Sequence, residues 1–325
     1  MKALRDILVA IKEPGARSQP ALRKAGQLAE GSGARLTLFH ALTTPLAFDA
    51  FASVGQTVQQ AQKQFRERAL AQLAKLAAPW QARGLLVNVA TDWDFPAYEA
   101  VIRQARRQGA DLVVAERHAT RHLLPSLLRF NDWELLRRCP VPVLLVKRGG
   151  DWQRPVVLAA IDPAHSFAKP AKLDGTIMAA ANLIAGSLGG KLHVAHAWPG
   201  MPMPASMEEL VISAPDPDRR ARREARATFD AEIDEAGLPD AKRHFVVGNP
   251  VELIPKLARR HRAGLVVMGA ISRSGLQRLV VGNVAEQVLD SLSCDVLVVK
   301  PAEFKTRVRP QRRGVQLIAT PSYLA

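Results

Sequence analysis

Short apolar runs rich in β-branched residues alternate along the chain with longer segments whose apolar positions recur at helical spacing. In the second half the runs predict strands near 156–161, 191–197, 242–247, 265–269 and 295–299, and the segments between them predict helices over 172–188, 217–236, 250–262 and 282–292. Runs such as Leu265–Met268 are apolar without alternation. A strand needs apolar residues on both of its faces when both faces are covered, so these runs favour a parallel sheet flanked by helices.

The same pattern occurs twice. Blocks at 7–12, 34–41, 95–99, 110–114 and 139–147 recur in the same order at 157–162, 190–197, 249–252, 263–267 and 294–300, with offsets of 150 to 156. The repeat predicts two tandem doubly wound, Rossmann-like α/β domains, each with a parallel five-stranded sheet. We expect the first domain at 1–149, the second at 154–302 and a basic C-terminal tail at 303–325.

Charge is distributed unevenly over these parts. The chain has 45 Lys and Arg against 30 Asp and Glu, a net charge of +15, of which +10 belongs to residues 1–150, +1 to 151–302 and +4 to 303–325. Arg103, Arg106 and Arg107 lie three and four residues apart, which indicates one solvated helix face. Aromatic residues make up only 5% of the chain, so the stacking surface of a single-strand binder is missing. The distribution disfavours a nucleic-acid-binding body.

Other classes are disfavoured by length and cysteine content. The chain starts without a signal-like apolar run, and its longest apolar stretches fall far short of the roughly 20 residues that cross a bilayer. The two cysteines, Cys139 and Cys294, occupy matched positions before a strand and are predicted to be small buried hydrophobic residues. We therefore expect a cytoplasmic protein with no membrane association.

Candidate chemistry lies after the predicted strands of the second half, since doubly wound sheets bind ligands outside the carboxyl ends of their strands. Asp162 follows the first strand and either accepts a hydrogen bond from a base or caps a turn. Gly269 ends the fourth strand and allows close approach of a ligand to the backbone. Asn283 and Glu286 have the spacing of a capping box, so the amides at this helix start face outward and suit an anion.

These residues resemble the nucleotide motif of the universal stress protein family, which has the form Gly-x2-Gly-x9-Gly followed by Ser, Thr or Asn. Here it comprises Gly269, Ser272 and the pair Gly282-Asn283. The layout of two domains is similar to the tandem type of that family. The resemblance covers the chain to about residue 302 and implies a non-enzymatic regulatory module in stress response. It also implies an internal pseudo-dimer whose final strands, 141–146 and 295–299, pair.

The resemblance assigns roles to the second half. It implies that Asp162 contacts adenine, that Gly269 lies near the ribose, and that Gly282, Asn283 and Val284 contact phosphate. Ser272 replaces the middle glycine of the motif, and either obstructs the pocket or donates its hydroxyl to phosphate beside Arg273. The resulting expectation is ATP or another adenine nucleotide, accompanied by Mg²⁺ when bound, in the second domain only; no cofactor is required.

The first half departs from the motif. Lys12 stands where Asp162 stands, and Glu116 stands where Gly269 stands. No glycine occurs from Val114 to Cys139. A carboxylate at a phosphate cradle repels a triphosphate, so we predict no nucleotide in the first domain.

Alternative functions remain open at this point. The same second-half pocket would serve a slow ATP hydrolase, although no nucleophile or Walker motif is present and no catalytic residue is assigned. The basic first half and tail leave a nucleic-acid-associated protein as a further alternative. His118 and His122, with Glu116, have a spacing that would suit a metal, but exposed histidines are the favoured interpretation. His193 and His196 are predicted on opposite faces of a strand. A protein partner and a homo-oligomer are left open.

Overall fold

The computed structural model describes residues 3–47, 57–117, 125–163, 173–200, 217–269 and 283–318. It divides into two compact units. One unit comprises Ala3–Asp151 together with the described part of the tail from Phe304. The other comprises Trp152–Glu303. Each unit is described separately below.

The first unit is a doubly wound α/β domain. Its elements in chain order are β1 (Asp6–Ala10), α1 (Pro20–Ser32), β2 (Arg35–Leu42), β3 (Leu46–Ala47), α2 (Val58–Ala82), β4 (Val87–Trp93), α3 (Ala97–Gln108), β5 (Leu112–Glu116), α4 (Pro125–Arg138) and β6 (Val143–Val146). Its main sheet has the order β4-β2-β1-β5-β6, and each of these pairs is parallel.

The second unit repeats this arrangement. Its elements are β7 (Val156–Ala160), α5 (Leu173–Ser187), β8 (Lys191–Trp198), α6 (Pro217–Glu235), β9 (Lys242–Val247), α7 (Pro250–Arg260), β10 (Ala263–Gly269), α8 (Asn283–Ser291) and β11 (Asp295–Val299). The strand order is β11-β10-β7-β8-β9, again with parallel pairs only. The predicted fold class is confirmed, and the bounds of these elements differ from the prediction by no more than two residues.

The burial pattern explains why these segments form strands. Val157, Leu158 and Ala159 on β7 and Val266 and Val267 on β10 are all 0% exposed. A strand between two neighbours in a parallel sheet has helices on both faces, so consecutive apolar residues are all removed from water. Cys139 and Cys294, which precede β6 and β11, are also buried, so their prediction as small core residues is confirmed.

The tail from Phe304 packs on the first unit. Val308 is buried, the carbonyl oxygen of Arg309 accepts a hydrogen bond of 2.8 Å from Nε of Arg103, and β12 (Leu317–Ile318) pairs in parallel with β3. The basic tail therefore completes the first unit around α3.

This packing corrects one prediction. The expectation of a solvated face is wrong for Arg103, which is 3% exposed. Its guanidinium donates to Asp94 at 2.6 Å and to Glu99 at 2.5 Å. Helical spacing of charges looks the same whether the face is solvated or covered, and here the tail covers it. Arg106 and Arg107 remain exposed, as predicted.

Candidate functional site

The crevice of the second unit lies where its strand order reverses. The chain passes from β7 to β8 and β9 on one side, then returns to β10 and β11 on the other side of β7. The reversal falls between β7 and β10, which pair with Met268 opposite Ala160. Asp162 follows β7 by two residues and Gly269 ends β10, so both predicted residues lie at the point where such sheets bind ligands.

Asp162 carries a buried carboxylate. The residue is 9% exposed, and neither of its carboxylate oxygens accepts a hydrogen bond from the residues that the structure describes. Its backbone N–H donates to Oδ1 of Asp174 at 3.1 Å, which fixes the turn after β7. Nδ1 of His196 lies 3.9 Å from Oδ1 of Asp162, too far for a hydrogen bond, and at 3.1 Å from the carbonyl oxygen of Ile161. The turn after β7 is therefore held in part by the carboxylate of Asp174.

An acceptor buried in this way is costly unless something donates to it. A ligand amino group entering the crevice between β7 and β10 is a donor of the right kind. Such a donor is what the first of the two roles that the sequence leaves open for Asp162 requires.

Gly269 has a packing reason to be glycine. A Cβ at this position would lie 2.7 Å from Cδ2 of Leu173 and 3.3 Å from Cδ1 of Ile177, both on α5. The absent side chain lets α5 lie close to the end of β10. The sequence interpretation named only approach of a ligand, whereas the structure adds approach of a helix.

The predicted phosphate loop is described only at its end. Ser272, Arg273 and Gly282 lie outside the described residues. The helix α8 begins at Asn283, and Val284 in its first turn is half-buried. The start of α8 lies within one residue of the predicted start at 282, and Asn283 is its first helical residue rather than the capping residue before it.

The equivalent crevice of the first unit has different chemistry. Lys12 follows β1 by two residues and Glu116 ends β5, at the same topological positions as Asp162 and Gly269. Nζ of Lys12 lies 3.7 Å from Oδ1 of Asp132 on α4. Burial lowers the pKa of Lys12, while the carboxylates of Asp132 and Glu116 raise it. A cavity of about 310 Å³ remains beside this ion pair and is bordered by His40.

One interaction is common to the two units. Nδ1 of His40 contacts the carbonyl oxygen of Ile11 at 2.9 Å, as Nδ1 of His196 contacts that of Ile161. Because a carbonyl oxygen only accepts, Nδ1 carries the proton in both rings. Burial lowers the pKa of His40, which keeps the ring neutral. Both units therefore keep a histidine that contacts the backbone beside the crevice, although Lys12 in the first unit stands where Asp162 stands in the second.

The histidine predictions have separate outcomes. His193 and His196 lie on opposite faces of β8, as predicted, since His193 contacts His244 while His196 stacks with Phe229. His118 and His122 lie outside the described residues. The contact of His193 with His244 on β9 was not predicted, because the pairing of β8 with β9 is not visible in the sequence.

Two tandem, doubly wound domains with a crevice at each strand reversal place the chain in the class of tandem Rossmann-like α/β proteins. Two matches to the Universal stress protein family, at residues 3–147 and 157–300, give the class a narrower identity. The chain belongs to the universal stress protein family, a family of stress-response proteins, and is of its tandem type.

Whole-length relatives have the same organisation. Universal stress protein E of Escherichia coli K12 is 29% identical over 320 residues, which are 95% of this chain and 98% of that protein. A crystal structure of a functionally unknown protein from Pseudomonas aeruginosa PAO1 is similar with a TM-score of 0.71 and 26% identity, over 93% of this chain and 94% of that one. A universal stress protein from Archaeoglobus fulgidus DSM 4304 shares the fold, with a TM-score of 0.61, 16% identity and coverage of 90% and 98%.

None of the helices in the described part of the chain is both long enough and apolar enough to cross a bilayer.

Proposed function

We propose that this protein is a regulatory binding module of stress response whose second domain binds ATP or a related adenine nucleotide, and whose first domain does not. The observation that carries the proposal is the buried carboxylate of Asp162, which has no donor among the described residues. Family membership supports the stress-response role, and the two matched domains support an internal pseudo-dimer.

Each part of the nucleotide has a proposed contact. Asp162 accepts from the exocyclic amino group of adenine, and Gly269 borders the ribose. Ser272, Arg273, Gly282, Asn283 and Val284 hold the phosphates through backbone amides, a hydroxyl and one guanidinium. Mg²⁺ would accompany a bound triphosphate and neutralise part of its charge. The first turn of α8 supports this assignment because its N–H groups have no partner within the helix.

The restriction to one domain rests on charge. Lys12 with Asp132 stands at the position of the adenine contact, and Glu116 stands where the ribose and phosphates would approach. The carboxylates of Asp132 and Glu116 in the first domain therefore repel a triphosphate. The pocket of the second domain contains no assigned nucleophile or general base, so we propose binding without efficient hydrolysis.

The test is the equilibrium binding of ATP to the full chain, with Asp162→Ala and Lys12→Gln as a matched pair. We expect one ATP per chain. Asp162→Ala loses the acceptor and weakens binding at least about 10-fold, equivalent to about 1.4 kcal/mol, whereas Lys12→Gln leaves it unchanged. A bound nucleotide also raises the melting temperature, since at a concentration 100 times Kd it adds about 2.7 kcal/mol of stability.

Three results would contradict the proposal. If the protein does not bind ATP at millimolar concentration, the proposal of a nucleotide site is wrong. If Asp162→Ala binds ATP as tightly as the parent protein does, the contact assigned to Asp162 is wrong. Phosphate release above background that disappears in Gly282→Asp would establish an ATP hydrolase instead. Nucleic-acid binding is disfavoured by the tail itself, because Arg312 and Arg313 form ion pairs with Asp92 and Glu99 of the first unit.

A further inference from the structure

Three histidines from separate elements of the second unit meet at one point. His193 lies on β8, His244 lies on β9, and His261 caps the C-terminus of α7. The ring centroids of His193 and His244 are 4.9 Å apart, those of His193 and His261 are 5.2 Å apart, and those of His244 and His261 are 4.4 Å apart. Each ring therefore contacts both of the others.

The fold explains the meeting. Parallel pairing places His244 opposite Ala195, two residues along β8 from His193 and on the same face. The helix α7 packs on β8 and β10 and runs back toward the start of the next strand, which brings its C-terminal residue over that face. Arg262, with φ at +50°, then turns the chain into β10.

The ring nitrogens have the spacing of a metal site. Nε2 of His244 lies 3.1 Å from Nδ1 of His193, and one nitrogen from each of the three rings lies within 4.8 Å of the other two. Nitrogen ligands at about 2.1 Å from a tetrahedral Zn²⁺ are about 3.4 Å apart. The three nitrogens are therefore close to the spacing that a tetrahedral ion requires.

We infer that His193, His244 and His261 form a binding site for a divalent transition-metal ion, with three imidazole ligands and one open position. Three neutral nitrogen donors and no thiolate or carboxylate suit Zn²⁺, Ni²⁺ and Cu²⁺, and do not suit Mg²⁺ or Ca²⁺, which require oxygen ligands. An open fourth position leaves room for water or for an anion.

The charges around the three rings have opposite effects on a bound cation. Lys191, Lys242 and Arg260 lie near the rings and oppose a cation. The C-terminal end of α7 favours one, because its last carbonyl groups carry partial negative charge. Since the positive side chains weaken binding, the site selects ions of high intrinsic affinity for imidazole, in the order Cu²⁺ above Zn²⁺.

The lone pairs of the rings are available at neutral pH. Burial, with the neighbouring positive charges, lowers the pKa of both His193 and His244 to about 4. The short nitrogen contact between these two rings is an N–H···N hydrogen bond, and an incoming ion would replace its proton by a change of tautomer.

The site has access and is separate from the proposed nucleotide crevice. His244 and His261 are only partly buried, which gives an ion access to the rings. His193 is on the face of β8 opposite to His196, and Asp162 is next to His196. Metal binding and nucleotide binding can therefore be tested independently.

The experiment is a titration of the full chain, stripped with a chelator, by Zn²⁺ in competition with a chromophoric chelator. We expect one ion per chain with a Kd below about 10 μM, and no competition by excess Mg²⁺. His261→Asn and His244→Gln each remove one ligand and should weaken binding at least about 10-fold. His261 is the C-cap residue of α7 and is only partly buried, so we expect His261→Asn to preserve the fold.

His40→Gln is the matched control, because it removes a half-buried histidine from a strand of the other unit and should leave Zn²⁺ affinity unchanged. Electron paramagnetic resonance of the Cu²⁺ complex should show coupling to several imidazole nitrogens, which His261→Asn reduces. The inference is overturned if Zn²⁺ does not bind below about 100 μM, or if both ligand variants bind it as tightly as His40→Gln does.

Discussion

Arg313 in the tail donates to both carboxylate oxygens of Glu99, at 2.9 and 3.1 Å. The Glu99 side chain is 7% exposed and the Arg313 side chain is 50% exposed, so the guanidinium closes a buried carboxylate from the solvent side. The same carboxylate receives Arg103 from the interior. Two arginines, one from α3 and one from a segment more than 200 residues away, therefore satisfy one buried acid.

Removal of the inner arginine should strongly destabilise the first unit. In Arg103→Met, Asp94 and Glu99 lose a buried cation, which costs about 3–5 kcal/mol of unfolding free energy. Arg107→Met is the control, because its pair with Asp92 is 42% exposed at the arginine and should cost less than about 1 kcal/mol. Urea denaturation, with hydrogen exchange of β4 and α3 as the local probe, measures both. Equal effects of the two substitutions would refute a special role for Arg103.

Deletion of residues 304–325 should destabilise the first unit around Glu99 and Arg103. The deletion removes the buried side chain of Val308, the hydrogen bonds to Arg103 and Asp94, and the partner of Glu99. We expect the melting temperature of the first unit to fall by at least about 4 °C, with that of the second unit unchanged. Differential scanning calorimetry with limited proteolysis distinguishes the two units. An unchanged first transition would show that the tail does not stabilise it.

The fold was readily predicted because buried parallel strands leave a strong sequence signal. The runs around Leu158 and Val266 are apolar on both faces, and the matched blocks fix the order of elements twice. Asp162 and Gly269 could be placed at the strand reversal for a related reason, since a residue that follows a strand in the sequence lies at its carboxyl end in the fold.

The contacts that depend on distant segments could not be predicted. Arg103 has Glu99 one turn away, but its burial requires Asp94 and the carbonyl of Arg309, and nothing local distinguishes this arginine from Arg107. Likewise, His193, His244 and His261 are brought together by strand pairing and by the packing of α7, which no spacing in the sequence encodes.

Packing at the crevice predicts opposite effects of two glycine substitutions. Gly269→Ala places a Cβ at 2.7 Å from Leu173 and should cost about 1–3 kcal/mol through overpacking. Gly175→Ala on α5 meets nothing within 4 Å and should add about 0.5 kcal/mol through helix propensity. Denaturant unfolding of the second unit measures both. If Gly269→Ala were neutral, the close approach of α5 to β10 would be contradicted.

The metal-free histidine cluster should make the second unit sensitive to acid. The pKa values of His193 and His244 are about 4 in the folded protein, lowered by burial and by the charges of His261, Lys242, Lys191 and Arg260, against an ordinary value of 6.5. The unfolded chain therefore binds more protons between pH 6.5 and 4, so stability is full above about pH 6.5 and falls as the pH decreases toward 4.

His244→Gln provides the corresponding test, because glutamine does not titrate and so removes one of the two groups whose pKa is lowered. We expect its unfolding free energy to fall less steeply between pH 6.5 and 4 than that of the parent protein, with chelator present in both samples. The measurement is urea denaturation across this pH range, and nuclear magnetic resonance should show that His193 and His244 remain neutral at pH 5. Parallel pH profiles, or protonation of both rings near pH 6.5, would contradict the burial of this cluster.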